Sequence, residues 1–445
     1  MCVFLSKIIL TDSNLFFYLY AFLGNPQLLI ITLVSITVTP PTRTVYSVGE
    51  SFDSTGMVVT ATYDDGEERT VKGTITSETS SLTKSAGINK EVTVSYTEGD
   101  NKKTATFTVD VASYQFTETV QDADSSYTGT MSGGTYKKFG DWPQTIKSAG
   151  VTVGSGTLVR GSLSYHVGSD GNYYVEAKEQ ARGVDKYSDG TQVGQRGTSK
   201  KWFKVEPIVW RVLTDDYKVP GENGELKSTN NALLLAENIL TGYIYYVTDK
   251  PRTITGAGTK TDEPNTVYEN NYKYSTIRAW LNGKYEDDDT QEENKAYKGI
   301  GFLQTAFTPE AQGLITPTTV DNSNESTFGR GDTVENNLYA CGDTTDKIFL
   351  LSKQEVTMSE YGFDKYYAYG QGNNTRIRVT TDYAKATGPY KDSTDGYRWW
   401  LRSPFHRSSR CVWDILDDGS GANDFTNIFL SSGVVPALSI SINGN

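Results

Sequence analysis

Histidine is nearly absent from the 445-residue chain: only His166 and His406 are available for acid–base or metal chemistry. Cysteine is also scarce. Three residues cannot build a disulfide framework or a four-cysteine zinc site. Basic charge is in deficit, with 42 Lys and Arg against 54 Asp and Glu and a formal net charge of −12. That balance speaks against nucleic acid as a partner, because phosphate contacts need clustered Lys and Arg. No apolar run reaches the roughly 18 residues that a membrane helix requires. Catalytic fingerprints are missing too: there is no G-x-S-x-G, phosphate loop, H-E-x-x-H or dinucleotide motif. What the chain does have is 29 Tyr, 17 Phe and 7 Trp, too many rings for a mostly disordered protein. With much Gly, Ser and Thr and only 4 Met, the composition reads as β strand and loop. At ~150 residues per domain, the length suggests two or three domains.

Residues 1–34 differ from the rest. Two short apolar stretches, Phe16 to Leu23 and Leu28 to Val34, flank Gly24-Asn25-Pro26-Gln27. The second has the length of an export-signal core but lacks a basic start and a small-residue cleavage site. The segment reads as a degenerate or mis-started leader, with a membrane-proximal anchor or a non-native extension as alternatives. Envelope attachment, if any, would run through it.

From 35 to 111 the chain alternates with period two. Val59, Ala61 and Tyr63 share a face, as do Val92, Val94 and Tyr96, and Ala105, Phe107, Val109 and Val111. Turn signals at Asp64-Asp65-Gly66 and Glu98-Gly99-Asp100 separate the runs. A small β-sandwich follows from this pattern. The stretches from Ser35 to Thr42, Val45 to Phe52, Gly56 to Tyr63 and Thr104 to Val109 resemble a bacterial immunoglobulin-like domain of the group-3 type. The resemblance implies a spacer on a cell-surface protein. Residues 112–135, rich in Ser, Thr, Gly and Asp, read as a linker or as the entry to the next domain.

Residues 136–445 mix strands with short helices. Trp202 to Leu213 predicts a strand interrupted at Pro207, and Ala232 to Ala236 a short buried one. Ser275 and Gly283 bracket a helix, Thr308-Pro309 opens another, and Ser352-Lys353-Gln354-Glu355 is a capping box. This half is expected to be one α+β domain, whose long loops at 249–270, 284–298 and 316–337 are the places to look for function. Phe139 to Gln144, Val205 to Leu213, Leu233 to Leu240, Ser275 to Asn282, Trp399 to Pro404 and Gly433 to Ile442 resemble a bacterial domain family of undefined function. That family is similar in turn to the C-type-lectin-like fold of formylglycine-generating enzymes. The implied architecture is multidomain, an all-β Ig-like sandwich followed by an α+β C-type-lectin-like domain. Variable proteins of diversity-generating retroelements share this fold class, and they diversify side chains near the C-terminus for ligand binding.

The stretch 405–432 carries rings and cations together. Phe405, His406, Arg407, Arg410, Cys411, Trp413, Leu416, Asn423, Asp424, Phe425 and Phe429 are the candidate ligand-binding residues, since aromatic and Arg side chains anchor interfaces. The competing reading makes Val412, Trp413 and Ile415 a core strand. Trp399, Trp400 and Arg402 could form a sugar platform but read better as core around a buried, paired Arg, and Trp210 and Arg211 likewise. Glu263-Pro264-Asn265 and Trp413-Asp414 resemble the calcium motif of true lectins. They lie about 150 residues apart without a full partner triplet, so the likeness reads as coincidence. The acidic runs from Glu286 to Asp289 and Asp321 to Glu325 read as solvated loops. Cys341 and Cys411 stand apart from any Cys-x-x-Cys, which counts against formylglycine-type oxidoreductase chemistry; whether they pair is open. No catalytic residue, metal or cofactor is assigned. The expectation is a non-enzymatic binding protein, secreted or displayed at the cell surface, for an extracellular protein or glycan. An oxidoreductase or a structural adhesion component are the alternatives.

Overall fold

The structure is a computed structural model. It describes residues 31–441 apart from 132, 182–183, 196, 198, 222–224, 249, 364–374, 390, 392–395 and 422–425. Most of its regular structure is strand, and its α-helices are four to seven residues long.

The first domain is a two-sheet sandwich. Leu33–Thr39, Val58–Tyr63 and Glu68–Val71 form one sheet. Val45–Ser47, Asn101–Ala112, Gly87–Glu98 and Thr74–Ile75 form the other. The alternating residues meet between them: Val59, Ala61, Tyr63, Val92, Val94, Phe107, Val109 and Val111 are buried in one cluster. Glu98 pairs with Asn101 across a two-residue turn in which Gly99 adopts φ +58°, a conformation that costs a glycine little. The domain starts earlier than residue 35. Leu33 is buried in the sandwich and Thr32 donates its N–H to Asp64, so the last residues of the expected leader belong to this fold. The rest of that leader, 1–30, lies outside the described residues.

The second domain is built on a large antiparallel sheet, and the half expected to be α+β is mostly β. Its strands run in the order Leu158–Arg160, Leu163–Val167, Tyr173–Lys178, Lys200–Thr214, Asn231–Ala236, Ala437–Ser441 and Ile348–Phe349. The strand Tyr136–Ile146 also pairs with Lys200–Thr214, with a register shift between Pro207 and Val209. Pro207 has no N–H to give the ladder, which is why the pairing slips there. A second sheet carries Thr241–Ile244, Ser431–Val434, Trp399–Pro404, Cys411–Ile415 and Thr426–Asn427. One large core links both sheets and the short helices. The helix Thr276–Asn282 is capped by the Ser275 hydroxyl, which accepts from the N–H of Arg278, and ends at Gly283 with φ +60°. Pro309–Leu314 is capped by Thr308, and Ser352 and Glu355 exchange hydrogen bonds at 2.7 and 3.1 Å. Among the described residues no helix is long and apolar enough to cross a membrane.

The expected linker is instead a strap. Tyr114 and Phe116 pack on the second domain's core. Tyr114 and Thr117 donate three hydrogen bonds to the buried Asp141 carboxylate. Gln121–Asp122 pairs with Tyr136–Ile146, and Thr130 donates its N–H and hydroxyl to Glu237. Ser and Thr without periodicity look like a tether in sequence. Here their hydroxyls and the nearby N–H groups satisfy buried carboxylates that belong to remote segments.

Candidate functional site

The hairpin made by Trp399–Pro404 and Cys411–Ile415 carries the candidate residues, and its base is fixed from below. Trp399, Trp400 and Arg402 are buried, as core rather than as a sugar platform. The Arg402 guanidinium donates to the Glu355 carboxylate, to Leu350 O at 2.7 Å and to Asp321 O at 2.9 Å. Glu355 also accepts from the Tyr217 hydroxyl at 2.7 Å. Both carboxylate and guanidinium are therefore fully engaged, as a buried pair must be.

The turn 405–410 is tied at several points. Phe405 N–H donates to Cys411 O at 3.0 Å. The Asn270 amide donates to Ser408 O and Cys411 O, and the Asn337 amide to Pro404 O. The backbone of the turn is thus held by two asparagines from loops far away in sequence. Its side chains divide sharply. Phe405, Cys411, Trp413 and Leu416 are buried, so these four of the candidate residues are core and do not face a ligand. Phe405 stands edge-on to Trp413 at 5.2 Å, and the Lys353 ammonium lies 3.5 Å from the Trp413 ring centre. All five residues of Cys411–Ile415 are buried, because the strand has neighbours on both edges and cover on both faces. Buried and exposed residues do not alternate along it. Phe429 is half-buried against the core. Asn423, Asp424 and Phe425 lie outside the described residues.

Three candidates reach the surface together. Arg407 and Arg410 are exposed, with side chains 69% and 58% accessible, and His406 is half-buried between them and the core. Glu335 reads both His406 and Arg407: its carboxylate oxygens lie 3.4 Å from His406 Nε2 and 3.4 Å from Arg407 Nη2. Arg410 Nε lies 3.8 Å from the buried Glu269 carboxylate. Burial pushes the His406 imidazole below its ordinary value; Glu335 acts against that shift, while Arg407 and Lys353 add to it. The turn therefore presents two guanidiniums, Arg407 beside the Glu335 carboxylate and Arg410 near Glu269, next to a ring whose protonation is disfavoured. Val334 and Leu338, both exposed, lie in the loop that supplies Glu335.

Glu335, Glu269, Asn270 and Asn337 were not singled out individually in the sequence, although all four lie in the long loops 249–270 and 316–337. The lectin-like motif serves the fold: Glu263 accepts from the Tyr268 hydroxyl, Asn265 Oδ1 accepts from Gly256 N–H, and Asp414 is buried 3.7 Å from Arg398. The acidic run at 286–289 is solvated only in part: Asp287 and Asp288 are exposed. Asp289 is buried against Arg252, and Glu286 pairs with Arg278 at 2.7 Å. In the other run, Asn322 is buried and its amide donates to Val320 O. Cys341 is half-buried and Cys411 buried; both are free thiols, and burial raises both above the ordinary thiol range. Among the described residues no group of three or more His, Cys, Asp and Glu is placed to hold a metal ion.

Two segments match known domain families. Residues 39–111 match the bacterial Ig-like domain (group 3), which is the sandwich described above. Residues 229–442 match a family described as Domain of unknown function (DUF6273), which spans the hairpin and both asparagine-bearing loops. No curated protein matches the chain.

Proposed function

We propose that this chain is a non-enzymatic binding protein, secreted or held at the cell surface, whose second domain has a C-type-lectin-like fold and grips an extracellular protein or glycan. The Ig-like domain displays that second domain. The contact face is the 405–410 turn with the 334–338 loop, and it centres on Arg407 and Arg410. One observation carries the reading: two exposed guanidiniums project from a turn whose backbone is clamped by buried amides and whose Phe405 ring is core. A face prepared this way loses little freedom on binding, and Arg is enriched at binding hot spots. The polarity of the face favours acidic ligands, such as carboxylate-bearing glycans or acidic segments of proteins.

The test is an array of neutral and uronic- or sialic-acid-bearing glycans together with acidic peptides, probed with the full chain and with the Arg407→Ala/Arg410→Ala variant. Preferential capture by acidic spots, lost in the variant at a temperature where it is fully folded, supports the proposal. Equal capture by the two proteins removes the face. The retroelement origin has its own check: a second copy of the 3′ coding segment beside a reverse-transcriptase gene, differing only at adenines.

A further inference from the structure

Far from the turn, three charged side chains meet in the interior without satisfying one another. Arg211 is 0% exposed, Arg378 6% and Glu237 1%. Arg211 donates from Nη1 to Thr375 O at 3.0 Å. Arg378 donates from Nη1 to Thr130 Oγ1 at 3.2 Å and to Thr375 O and Ile377 O. Glu237 Oε1 accepts from Thr130. Five polar atoms remain buried without a partner: Nε and Nη2 of Arg211, Nε and Nη2 of Arg378, and Oε2 of Glu237. Among the described residues neither guanidinium is bonded to the carboxylate, although all three groups act on one another electrostatically.

Among the described residues the charges do not balance: two guanidiniums stand against one carboxylate, which leaves one positive charge in the interior. The rings that flank them, Phe363 at 4.9 Å from Arg211 and Trp399 at 5.8 Å from Arg378, bring no charge. Burial and the neighbouring Arg211 push Arg378 down to about 9, which reports the strain of the uncompensated charge. Water could fill the orphaned N–H bonds, but it would leave the charge as it is. A buried charge persists only where it is paired. Burial this complete suits a group the size of a water or a halide, not an organic acid.

We propose that Arg211 and Arg378 hold a small inorganic anion of the halide class, with Glu237 and Thr130 closing the site on its other side. The four free N–H-bearing nitrogens are its donors. Because Thr130 belongs to the strap and is bonded to both Glu237 and Arg378, the anion fastens the strap to the second domain.

The experiment uses the full chain. Its melting temperature is followed as chloride replaces gluconate at constant ionic strength. The expected result is a saturable rise, as for any ligand that binds only the folded state. The same titration should slow proteolysis within 123–131. Glu237→Gln removes the competing negative charge and should lower the half-saturating chloride concentration by roughly threefold or more, whereas Arg378→Gln should abolish the saturable rise. A bromide-soaked crystal should show its anomalous peak between the two guanidiniums. A melting temperature indifferent to chloride in both the parent and Glu237→Gln, or a bromide peak found only elsewhere, overturns the proposal. Glu237→Gln carries the test if Arg378→Gln does not fold.

Discussion

Asp110, in the last strand of the Ig-like domain, accepts a hydrogen bond from the backbone N–H of Gly156 in the second domain at 2.7 Å. Its other oxygen accepts from the N–H of Asn89 at 2.6 Å. The carboxylate is fully buried, and Val45 and Ala112 from the first domain join the second domain's core. A domain joined in this way cannot swing freely, so the orientation of the proposed binding face is set by the junction.

The junction can be tested directly. Asp110→Ala leaves the buried N–H of Gly156 without its acceptor, a cost of about 1–3 kcal/mol, and also releases the N–H of Asn89. The expected outcome in calorimetry is a lower first transition and separation of the two domains' unfolding. Gly156→Ala should act in the same direction, since a Cβ there would stand 2.8 Å from Asp110 Oδ2. A single unshifted transition in both variants would show that the junction contributes nothing.

The floor of the hairpin gives a second prediction. Removing Glu355 strands the Arg402 guanidinium in the core, and breaking such a pair from one side costs about 3–5 kcal/mol. Glu355→Ala should therefore lower the urea midpoint strongly. Arg402→Met paired with Glu355→Leu should recover much of that loss, because no charge is then left alone. Urea unfolding of the single and double variants decides the matter.

The pH behaviour of the turn follows from His406. Its folded value lies below the ordinary 6.5, with burial as the largest cause. The unfolded chain therefore takes up a proton first as pH falls. The stability linked to this imidazole is present above about 6.5 and is lost as pH drops through the folded value. With two histidines in the chain, proton NMR separates the signals once His406→Gln assigns them. Glu335→Gln should move the His406 midpoint further down, because the Glu335 charge raises it, and Arg407→Ala should move it up. Opposite shifts would place Glu335 and Arg407 away from the ring.

Local signals were the legible ones. Ser275 with Gly283, Thr308 before Pro309, and Ser352 with Glu355 each announce a helix end within a few residues, and each is found there. The sandwich was legible because one face repeats every second residue. The strap was not, because Thr117 and Thr130 answer to Asp141 and Glu237, carboxylates 24 and 107 residues away. Asp289 looked solvated for the same reason: its partner is Arg252. In the candidate site, composition marked the 405–410 turn but could not say which side chains point in. That depends on the cover given to Cys411–Ile415 by loops near 270, 337 and 353.

That division between buried and exposed residues makes the last prediction. Phe405 packs against Trp413 and His406, and Phe405→Ala should cost about 3–5 kcal/mol as a core truncation. Arg407 is exposed beside the half-exposed Glu335, and Arg407→Ala should change stability by no more than about 0.5 kcal/mol; Arg410→Ala also takes the nearby cation from the buried Glu269 carboxylate and should cost more than that, though less than Phe405→Ala. Binding should follow the opposite order at temperatures where all variants are folded: largely kept in Phe405→Ala, lost in Arg407→Ala/Arg410→Ala. Urea unfolding beside array binding measures both quantities on the same proteins. If the arginine variant binds fully while Phe405→Ala does not, the recognition face lies elsewhere and the turn is only part of the scaffold.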